Sequence, residues 1–176
     1  IKQLEIDNFK SFANQYTIPF LDGFTVVSGP NGSGKSNIID SILFALGLSS
    51  ARALRSEQGV GDLITTHNKR NEASVRVTFA LDDEDELIIT RKIKRTSQGV
   101  QSIYYMNDKQ CTLTQIHTEL EKYNISPNSY NVIMQGDVTT IANCSPKERR
   151  QYLDEIAGTA DFDRKITAAQ KELETV

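Results

Sequence analysis

The sequence predicts an α/β fold built around a glycine-rich loop. A β-branched run over residues 24–28 leads into that loop, and apolar residues at helical spacing follow it. Apolar and polar residues alternate over much of the region from about 75 to 112, as they do in strands with one buried face. We therefore predict a mixed sheet around the strand before the loop, an antiparallel β subdomain over about 75–112, and a helical C-terminal region.

The first part of the chain is predicted to hold three strands and one helix. The strand candidates cover residues 1–9, 16–20 and 24–28. The third is a β-branched run that stops abruptly at Gly29, which is typical of a buried strand. After the glycine-rich loop, apolar residues from Ile38 to Leu46 repeat at helical spacing, and Gly47 is placed to end the helix.

Beyond a polar loop over about 48–71, the pattern predicts four antiparallel strands and another helix. The strand candidates cover residues 75–81, 86–95, 101–106 and 109–112. Asn107 and Asp108 are a typical hairpin-turn pair. A helix over about 113–123 would place Ile116 and Leu120 on one side.

A further helix start is predicted near the C-terminus, followed by a coiled-coil pattern. Ser145 can cap this helix, and Pro146 suits its first turn. From Phe162 onward, apolar residues are spaced alternately by four and three positions. We predict a lobe over residues 1–160 and the first turns of a coiled-coil arm over 161–176, with an ordinary amphipathic helix as the alternative.

Composition limits the class of protein. The chain has 176 residues, 38% hydrophobic and 24% charged, which is the mixture of a folded domain. Its 20 Lys plus Arg against 23 Asp plus Glu give a net charge of −3, which excludes a basic protein that coats nucleic acid by bulk charge. Cys111 and Cys144 form no CxxC pair, so reduced thiols are expected rather than a zinc site. Because the longest apolar run is too short to cross a bilayer and no signal peptide opens the chain, we expect a cytoplasmic protein without a membrane partner.

One segment carries a complete phosphate-binding motif, G-x-x-x-x-G-K-[ST]. Its residues, all predicted to bind nucleotide, are Gly29, Pro30, Asn31, Gly32, Ser33, Gly34, Lys35 and Ser36. Glycines let consecutive backbone N–H groups turn towards one anion, and the helix that follows adds its positive N-terminus. Lys35 is predicted to reach the β- and γ-phosphates, and the Ser36 hydroxyl to bind Mg²⁺. The chain is therefore expected to bind a nucleoside triphosphate.

The motifs that would complete a self-contained P-loop enzyme are missing from the sequence. Residues 68–71 approach the base-reading N-K-x-D motif of GTPases but end in Asn71 instead of Asp. The acidic residues 82–86 follow a half-exposed strand, so they are predicted to form a solvated turn rather than a Mg²⁺-binding Walker B strand. The chain therefore either binds without hydrolysing or contributes one part of a composite site.

Several short motifs occur in a fixed order along the whole chain. They are Phe9-Lys10-Ser11-Phe12, the phosphate loop extended to Asn37, Ala53-Leu54-Arg55, Asp62-Leu63-Ile64, Gln135-Gly136-Asp137 and Ser145-Pro146-Lys147-Glu148-Arg149-Arg150. Together they resemble the N-terminal half of an SMC (structural maintenance of chromosomes) ATPase head, a member of the ABC superfamily. The phosphate loop alone indicates only a nucleoside triphosphatase, whereas F-K-S-F, Q-G-D and S-P-x-E-R-R in register are specific.

This resemblance implies an ABC-type P-loop half-domain that acts only with other segments. In such heads the C-terminal half supplies the signature motif and the Walker B acids, and a long coiled coil joins the two halves. Two completed heads enclose two ATP molecules, and hydrolysis separates them as DNA is moved or entrapped and a kleisin subunit bridges the heads. The expected cofactors are ATP and Mg²⁺. The expected partners are the C-terminal half of the same head, a second head, a kleisin and DNA, on the nucleoid or, in a eukaryote, in the nucleus.

The resemblance also implies roles for residues outside the phosphate loop. Gln135 is similar to the Q-loop glutamine, which contacts Mg²⁺ and the attacking water. Arg55 is similar to an arginine that stimulates hydrolysis when heads engage. Further contacts with the nucleotide are expected from Lys10 and Ser11 near the phosphates, from Asn37, and from Asp62 and Leu63 beside the adenine. By residue type alone, ordinary surface or strand-end positions are the alternative for these residues.

A basic run on a predicted strand is the one candidate for direct contact with DNA. It comprises Arg91, Lys92, Lys94 and Arg95. Because side chains alternate along a strand, only half of the run can reach one face. A solvated face is favoured over contact with DNA phosphates.

Two other functions stay open on the sequence alone. One is the head half of a coiled-coil ABC-type ATPase for DNA double-strand-break repair, which a CxxC zinc-hook motif in its arm would favour. The other is a self-contained P-loop kinase or GTPase, which would turn over nucleotide with no second component.

Overall fold

The computed structural model describes residues 1–48, 59–81, 85–123, 125, 145, 146, 149, 150, 153 and 166. The chain divides into two compact units, Ile1–Pro127 and Asn128–Val176, and almost all described residues belong to the first. The predicted boundary at residue 160 lies outside the described residues, as does the predicted arm apart from Ile166. The division into lobe and coiled-coil arm therefore stays a prediction.

The described residues of the first unit form one antiparallel sheet with two α-helices, and those of the second unit include a helical turn after Ser145, where a helix start is predicted. The elements are β1 (Gln3–Phe9), β2 (Phe12–Pro19), α1 (Lys35–Leu46), β3 (Glu72–Ala80), β4 (Glu86–Thr96), β5 (Gly99–Met106), β6 (Lys109–Cys111) and α2 (Leu113–Glu121). A 3-10 helix, Val60–Leu63, lies between α1 and β3. The strand order is β2-β1-β3-β4-β5-β6. The antiparallel subdomain predicted over 75–112 is confirmed, and β1 and β2 extend it.

The hairpin predicted at Asn107 and Asp108 is present between β5 and β6. Both residues have positive φ, +47° and +61°, as a type I′ turn requires. The Asn107 Oδ1 also accepts a hydrogen bond from the Ile88 amide at 2.8 Å. The turn between β5 and β6 is therefore hydrogen-bonded to β4.

The hydrophobic core lies between one face of the sheet and α1. The sheet contributes Leu4, Ile6, Val75, Val77, Ile89 and Ile93, all no more than 1% exposed. From α1, Leu43 and Phe44 are buried, and the ring of Phe44 lies 4.9 Å from that of Phe9. Burying side chains of this size contributes about 1.5–3 kcal/mol each. This packing fixes the axis of α1 against the sheet.

The predicted buried strand over residues 24–28 is wrong. The segment belongs to none of the strands, and Phe24 and Val26 are 93% and 70% exposed. A strand needs a neighbour to satisfy its backbone N–H and C=O groups. Among the described residues β1 already pairs with β2 and β3, and no described residue pairs with this segment.

No described helix is long and apolar enough to cross a lipid bilayer.

Candidate nucleotide site

The glycine-rich loop ends at the N-terminus of α1. Gly34 is the N-cap residue, its φ of +94° favours glycine, and no side chain caps the helix. A Cβ at Gly34 would lie 3.1 Å from the Ser11 Oγ, so the loop passes close to the β1–β2 turn. Because no side chain occupies them, the first N–H groups of α1 can bind an anion, which the positive helix end attracts.

The Lys35 side chain folds back onto this loop. Its Nζ donates to the carbonyl oxygens of Gly29 and Pro30, each at 2.7 Å. Hydrogen bonds from an ammonium to an anion are stronger than those to neutral carbonyls, so a phosphate oxygen can compete for the same donor. Ser36, the next residue, is exposed and carries the hydroxyl that binds Mg²⁺ in such loops. The loop residues therefore fit a magnesium-bound triphosphate.

The turn between β1 and β2 packs against the start of α1. Lys10 has φ +48°, and its Nζ forms a salt bridge of 2.6 Å with Asp40 Oδ2. The Ser11 Oγ accepts a hydrogen bond from Asn37 Nδ2 at 2.8 Å. The structure thus brings together Lys10, Ser11 and Asn37, which the resemblance placed near the nucleotide.

The 3-10 helix adjoins the same turn. The Lys10 amide donates to the Leu63 carbonyl at 2.7 Å, and Phe9 forms a β-bridge with Ile64. Asp62 is exposed, whereas Leu63 is 1% exposed. The backbone therefore connects this segment to the phosphate-loop side of the fold, and a place for Asp62 and Leu63 beside the adenine stays a prediction.

The basic run on β4 divides between the two faces of the sheet, as its alternation predicted. Arg91 is buried, and Arg95 donates from Nη2 to the Gly61 carbonyl of the 3-10 helix at 2.8 Å. Lys92 and Lys94 lie on the other face and are exposed. Lys92 and Lys94 are therefore available to an outside partner, whereas Arg91 is buried and the exposed Arg95 is bonded to the 3-10 helix.

Arg91 contacts the end of α1, a role that the sequence reasoning missed. Its Nη1 donates to the Phe44 carbonyl at 3.0 Å, and its Nε to the Ser102 Oγ at 2.9 Å. The guanidinium also lies over the rings of Phe44 and Tyr104, 4.3 and 4.8 Å from their centroids. Burial lowers the pKa of Arg91 from its ordinary value. The signal that could have found it is its position, in phase with the apolar residues Ile89 and Ile93.

The near match to N-K-x-D has a structural role. The Asn68 Nδ2 donates to Asn8 Oδ1 at 2.6 Å and to the Ala13 carbonyl at 2.9 Å. Arg70 forms a two-pronged ion pair with Asp7. Hydrogen bonding to Asp7 raises the pKa of Arg70. These contacts hold the segment to β1 and β2, so it offers no base-reading site for a GTPase.

Arg55 and Gln135, the two predicted catalytic residues, lie outside the described residues, so their roles stay predictions. Within the described ranges, no group of three or more His, Cys, Asp or Glu side chains is placed to hold a metal. Cys111 is a free, half-buried cysteine, and burial raises the pKa of its thiol. The one carboxylate of α1, Asp40, is buried and paired with Lys10.

The sheet covers only part of α1. Ile39 is 47% exposed, although its neighbour Asp40 is buried. The exposed apolar side chains of Phe24, Val26 and Val27 precede the same helix in the chain. Exposed apolar side chains, where they form a patch, mark interaction surfaces.

A complete phosphate loop on a helix that packs against an antiparallel sheet defines the chain as a P-loop nucleotide-binding half-domain. Comparisons with known proteins agree. Residues 1–145 match the family model described as RecF/RecN/SMC N terminal domain. The chain therefore belongs to this family, and it is similar throughout its length to the N-terminal part of SMC ATPase heads.

Individual relatives make the likeness specific. The chain is 52% identical over 176 residues to the Chromosome partition protein Smc of Gloeobacter violaceus, covering 98% of this chain and 15% of that protein. Among solved structures, it matches the Smc head domain of Pyrococcus furiosus, bound to the C-terminal domain of ScpA, with 40% identity and a TM-score of 0.85 over 99% of this chain and 46% of that one. A structure from work on ATP-driven dimerization and DNA-stimulated activation of SMC ATPases matches with 39% identity and a TM-score of 0.76, over 89% of this chain and 98% of that one. The chain thus spans about 15–17% of the length of the curated relatives it matches.

Proposed function

We propose that this chain binds Mg-ATP as the N-terminal part of an SMC-type head and hydrolyses it only with the C-terminal half and a second head. One observation carries the proposal: a complete phosphate loop leads into a helix on which Ile39 is exposed, and the exposed apolar side chains of Phe24, Val26 and Val27 precede that loop. The loop supports nucleotide binding. The exposed apolar surface supports a second segment that completes the site.

Within this proposal, the phosphate loop supplies the binding energy. The first N–H groups of α1 and the Lys35 ammonium bind the β- and γ-phosphates, and Lys10, Ser11 and Asn37 line the loop from the β1–β2 side. Ser36 and Gln135 hold Mg²⁺, which neutralises charge on the phosphates when bound. Asp62 and Leu63 border the adenine, and Arg55 assists hydrolysis when two heads meet.

The partners proposed for the whole protein follow from its relatives. The Pyrococcus furiosus head is bound to ScpA, which supports a kleisin-type partner here. The work on SMC ATPases concerns ATP-driven dimerization and stimulation by DNA, which supports a second head and DNA as partners. Since the curated relatives are chromosome partition proteins, we propose that the assembled protein acts on the chromosome, in the segregation, condensation or cohesion of DNA.

The proposal is tested by measuring ATP turnover of this chain with and without the C-terminal part of its own protein. We expect ATP binding by the chain alone, negligible turnover, and turnover once the C-terminal part is added. Sustained hydrolysis by the purified chain alone would instead indicate a self-contained enzyme.

Replacing Lys35 tests the binding site itself. Lys35→Ala removes the cation that faces the phosphates, so we expect ATP affinity to fall at least about a hundredfold, as lost charge-assisted bonds to a phosphate predict. Lys92→Ala is the matched control because it removes one exposed lysine on the far face of the sheet. Equilibrium titration with a fluorescent ATP analogue measures both variants, and equal affinities would exclude the loop as the binding site.

A further inference from the structure

A buried ion pair lies behind the phosphate loop. Lys10 Nζ and Asp40 Oδ2 are 2.6 Å apart, and their side chains are only 13% and 3% exposed. Other described ion pairs, such as that of Arg70 with Asp7, are considerably more exposed. The Lys10–Asp40 pair therefore needs an explanation that surface solvation cannot give.

The pair joins the elements that surround the predicted nucleotide. Asp40 is in the second turn of α1, and Lys10 is in the β1–β2 turn. Beside the pair, Ser11 accepts a hydrogen bond from Asn37 in the first turn of α1. The Lys10 amide donates to the Leu63 carbonyl of the 3-10 helix. One two-residue turn thus contacts the first two turns of the P-loop helix and the 3-10 helix.

Stability alone is a poor reason for such a pair. Burying two charges costs desolvation energy that their attraction offsets only in good geometry, and well-packed apolar side chains often serve as well. Lys10 also has a left-handed backbone conformation, which is unfavourable for residues other than glycine and clusters at functional sites. A buried carboxylate on the P-loop helix, moreover, repels a triphosphate by its charge.

We propose that Asp40 is a positioning residue for the nucleotide site. Its ion pair with Lys10 holds the β1–β2 turn against α1, so that Ser11, Asn37 and the first N–H groups of the helix keep the arrangement that receives the phosphates. This proposal rests on the proposed binding of ATP by the loop. It assigns Asp40 an effect on ATP through Lys10, without contact with the nucleotide.

The direction in which Asp40→Asn changes the affinity for ATP tests this proposal. Asp40→Asn removes the negative charge but leaves a side chain of the same shape. If only long-range charge mattered, ATP would bind more tightly, because a repulsive carboxylate is gone. If Asp40 positions the turn, the dissociation constant rises, and we expect a rise of about tenfold, the loss of one charge-assisted contact. The measurement is titration of the full-length protein with a fluorescent ATP analogue, well below the melting temperature of each variant.

A double-mutant cycle shows whether Asp40 affects ATP binding through its ion pair with Lys10. Lys10→Met/Asp40→Asn should weaken ATP binding no more than the stronger of the two single substitutions, because both break the same contact. Lys10→Arg keeps a cation for the pair and should recover part of the affinity that Lys10→Met loses. If Asp40→Asn fails to fold, Lys10→Met/Asp40→Leu replaces the pair by apolar side chains, and it should show the same loss of affinity.

Asp7→Asn is the matched control, since it breaks another ion pair of β1 that does not contact α1. Its ATP affinity should equal that of the wild type. Unchanged or tighter binding in Asp40→Asn, or a lowered melting temperature with normal affinity, would overturn the inference. A wild-type protein that binds no ATP would instead refute the proposed function.

Discussion

Arg91 carries a positive charge that is held almost wholly by neutral groups. The described contacts of its guanidinium are the Phe44 carbonyl, the Ser102 hydroxyl, and the faces of the Phe44 and Tyr104 rings. Burial lowers the pKa of Arg91, but the free value is so high that the group stays charged at neutral pH. A cation at the C-terminal end of α1 also interacts favourably with the helix dipole. Arg91 therefore anchors the end of α1 that is far from the phosphate loop.

Arg91→Met should destabilise the protein. The substitution removes one of the two hydrogen bonds to the Phe44 carbonyl and the bond to the Ser102 hydroxyl, which costs about 0.5–1.5 kcal/mol of unfolding free energy per bond at most. Lys92→Met, on the opposite face of β4, should change stability by less than about 0.5 kcal/mol. Urea unfolding followed by circular dichroism measures both. Equal stability of the two variants would show that the Arg91 contacts contribute nothing.

At this scale, the sequence predicts the residues of the phosphate loop because their types and spacing are dictated by phosphate geometry. It does not predict the inward role of Arg91, since an arginine in a basic run is usually solvated. It also does not predict the Lys10–Asp40 pair. That contact joins residues 30 positions apart, and no local pattern records it.

Glycines in the sequence predict both ends of α1, the helix that follows the phosphate loop. Gly34 and Gly47 flank it with φ of +94° and +65°, values that favour glycine. The Leu48 amide donates to the Leu43 carbonyl at 3.0 Å, as in a Schellman motif. Gly47 also packs against α2, because a Cβ there would lie 2.3 Å from Leu113 Cδ1. The end of α1 therefore sets where α2 docks.

Gly47→Ala should cost more than backbone strain alone. The left-handed conformation costs about 1–2 kcal/mol for alanine, and the clash with Leu113 adds about 1–3 kcal/mol. Gly23→Ala separates the two contributions, because Gly23 has φ +89° but a Cβ added there would meet no atom within 4 Å. Thermal unfolding should show a clearly larger loss for Gly47→Ala. Losses of the same size would indicate that Leu113 moves aside freely.

Strand prediction succeeded for every candidate except the run at 24–28. The alternating segments became β1, β3, β4 and β5, and the Asn107–Asp108 turn adopts the backbone that its residue types favour. The β-branched run at 24–28 has the composition of a strand but pairs with none of the described residues. Composition indicates a preference for the strand conformation, but a strand also needs a neighbouring strand that satisfies its backbone hydrogen bonds.

On the scale of the whole molecule, the exposed apolar segment is the feature that relates this chain to a larger assembly. Phe24, Val26 and Val27 are 93%, 70% and 45% exposed, and Leu21 beside them is 83% exposed. Covering a phenylalanine of this kind contributes about 1.5–3 kcal/mol. We propose that the C-terminal half of the head covers this surface, and that its burial stabilises their association.

Phe24→Asp should separate folding from assembly. Since the side chain has almost no contacts, stability of the chain should change by less than about 0.5 kcal/mol. Association with the C-terminal half should weaken at least about tenfold, because a charge replaces a buried ring. Tyr123→Asp, at another exposed aromatic position, is the control. Co-purification and calorimetry measure association, and undiminished binding by Phe24→Asp would exclude this surface.

The strand order of the sheet also bears on how the molecule forms during translation. Four of its five described pairings join strands that are consecutive in the sequence, and only the β1–β3 pairing skips one. Hairpins of this kind close short loops and form quickly, whereas a distant pairing waits for the intervening chain. As the ribosome extends the polypeptide, the β1–β2 hairpin can form first, and the remaining strands can dock once β3 emerges. The sheet can therefore form from strands that are consecutive in the sequence, before any later part of a longer polypeptide has been synthesised.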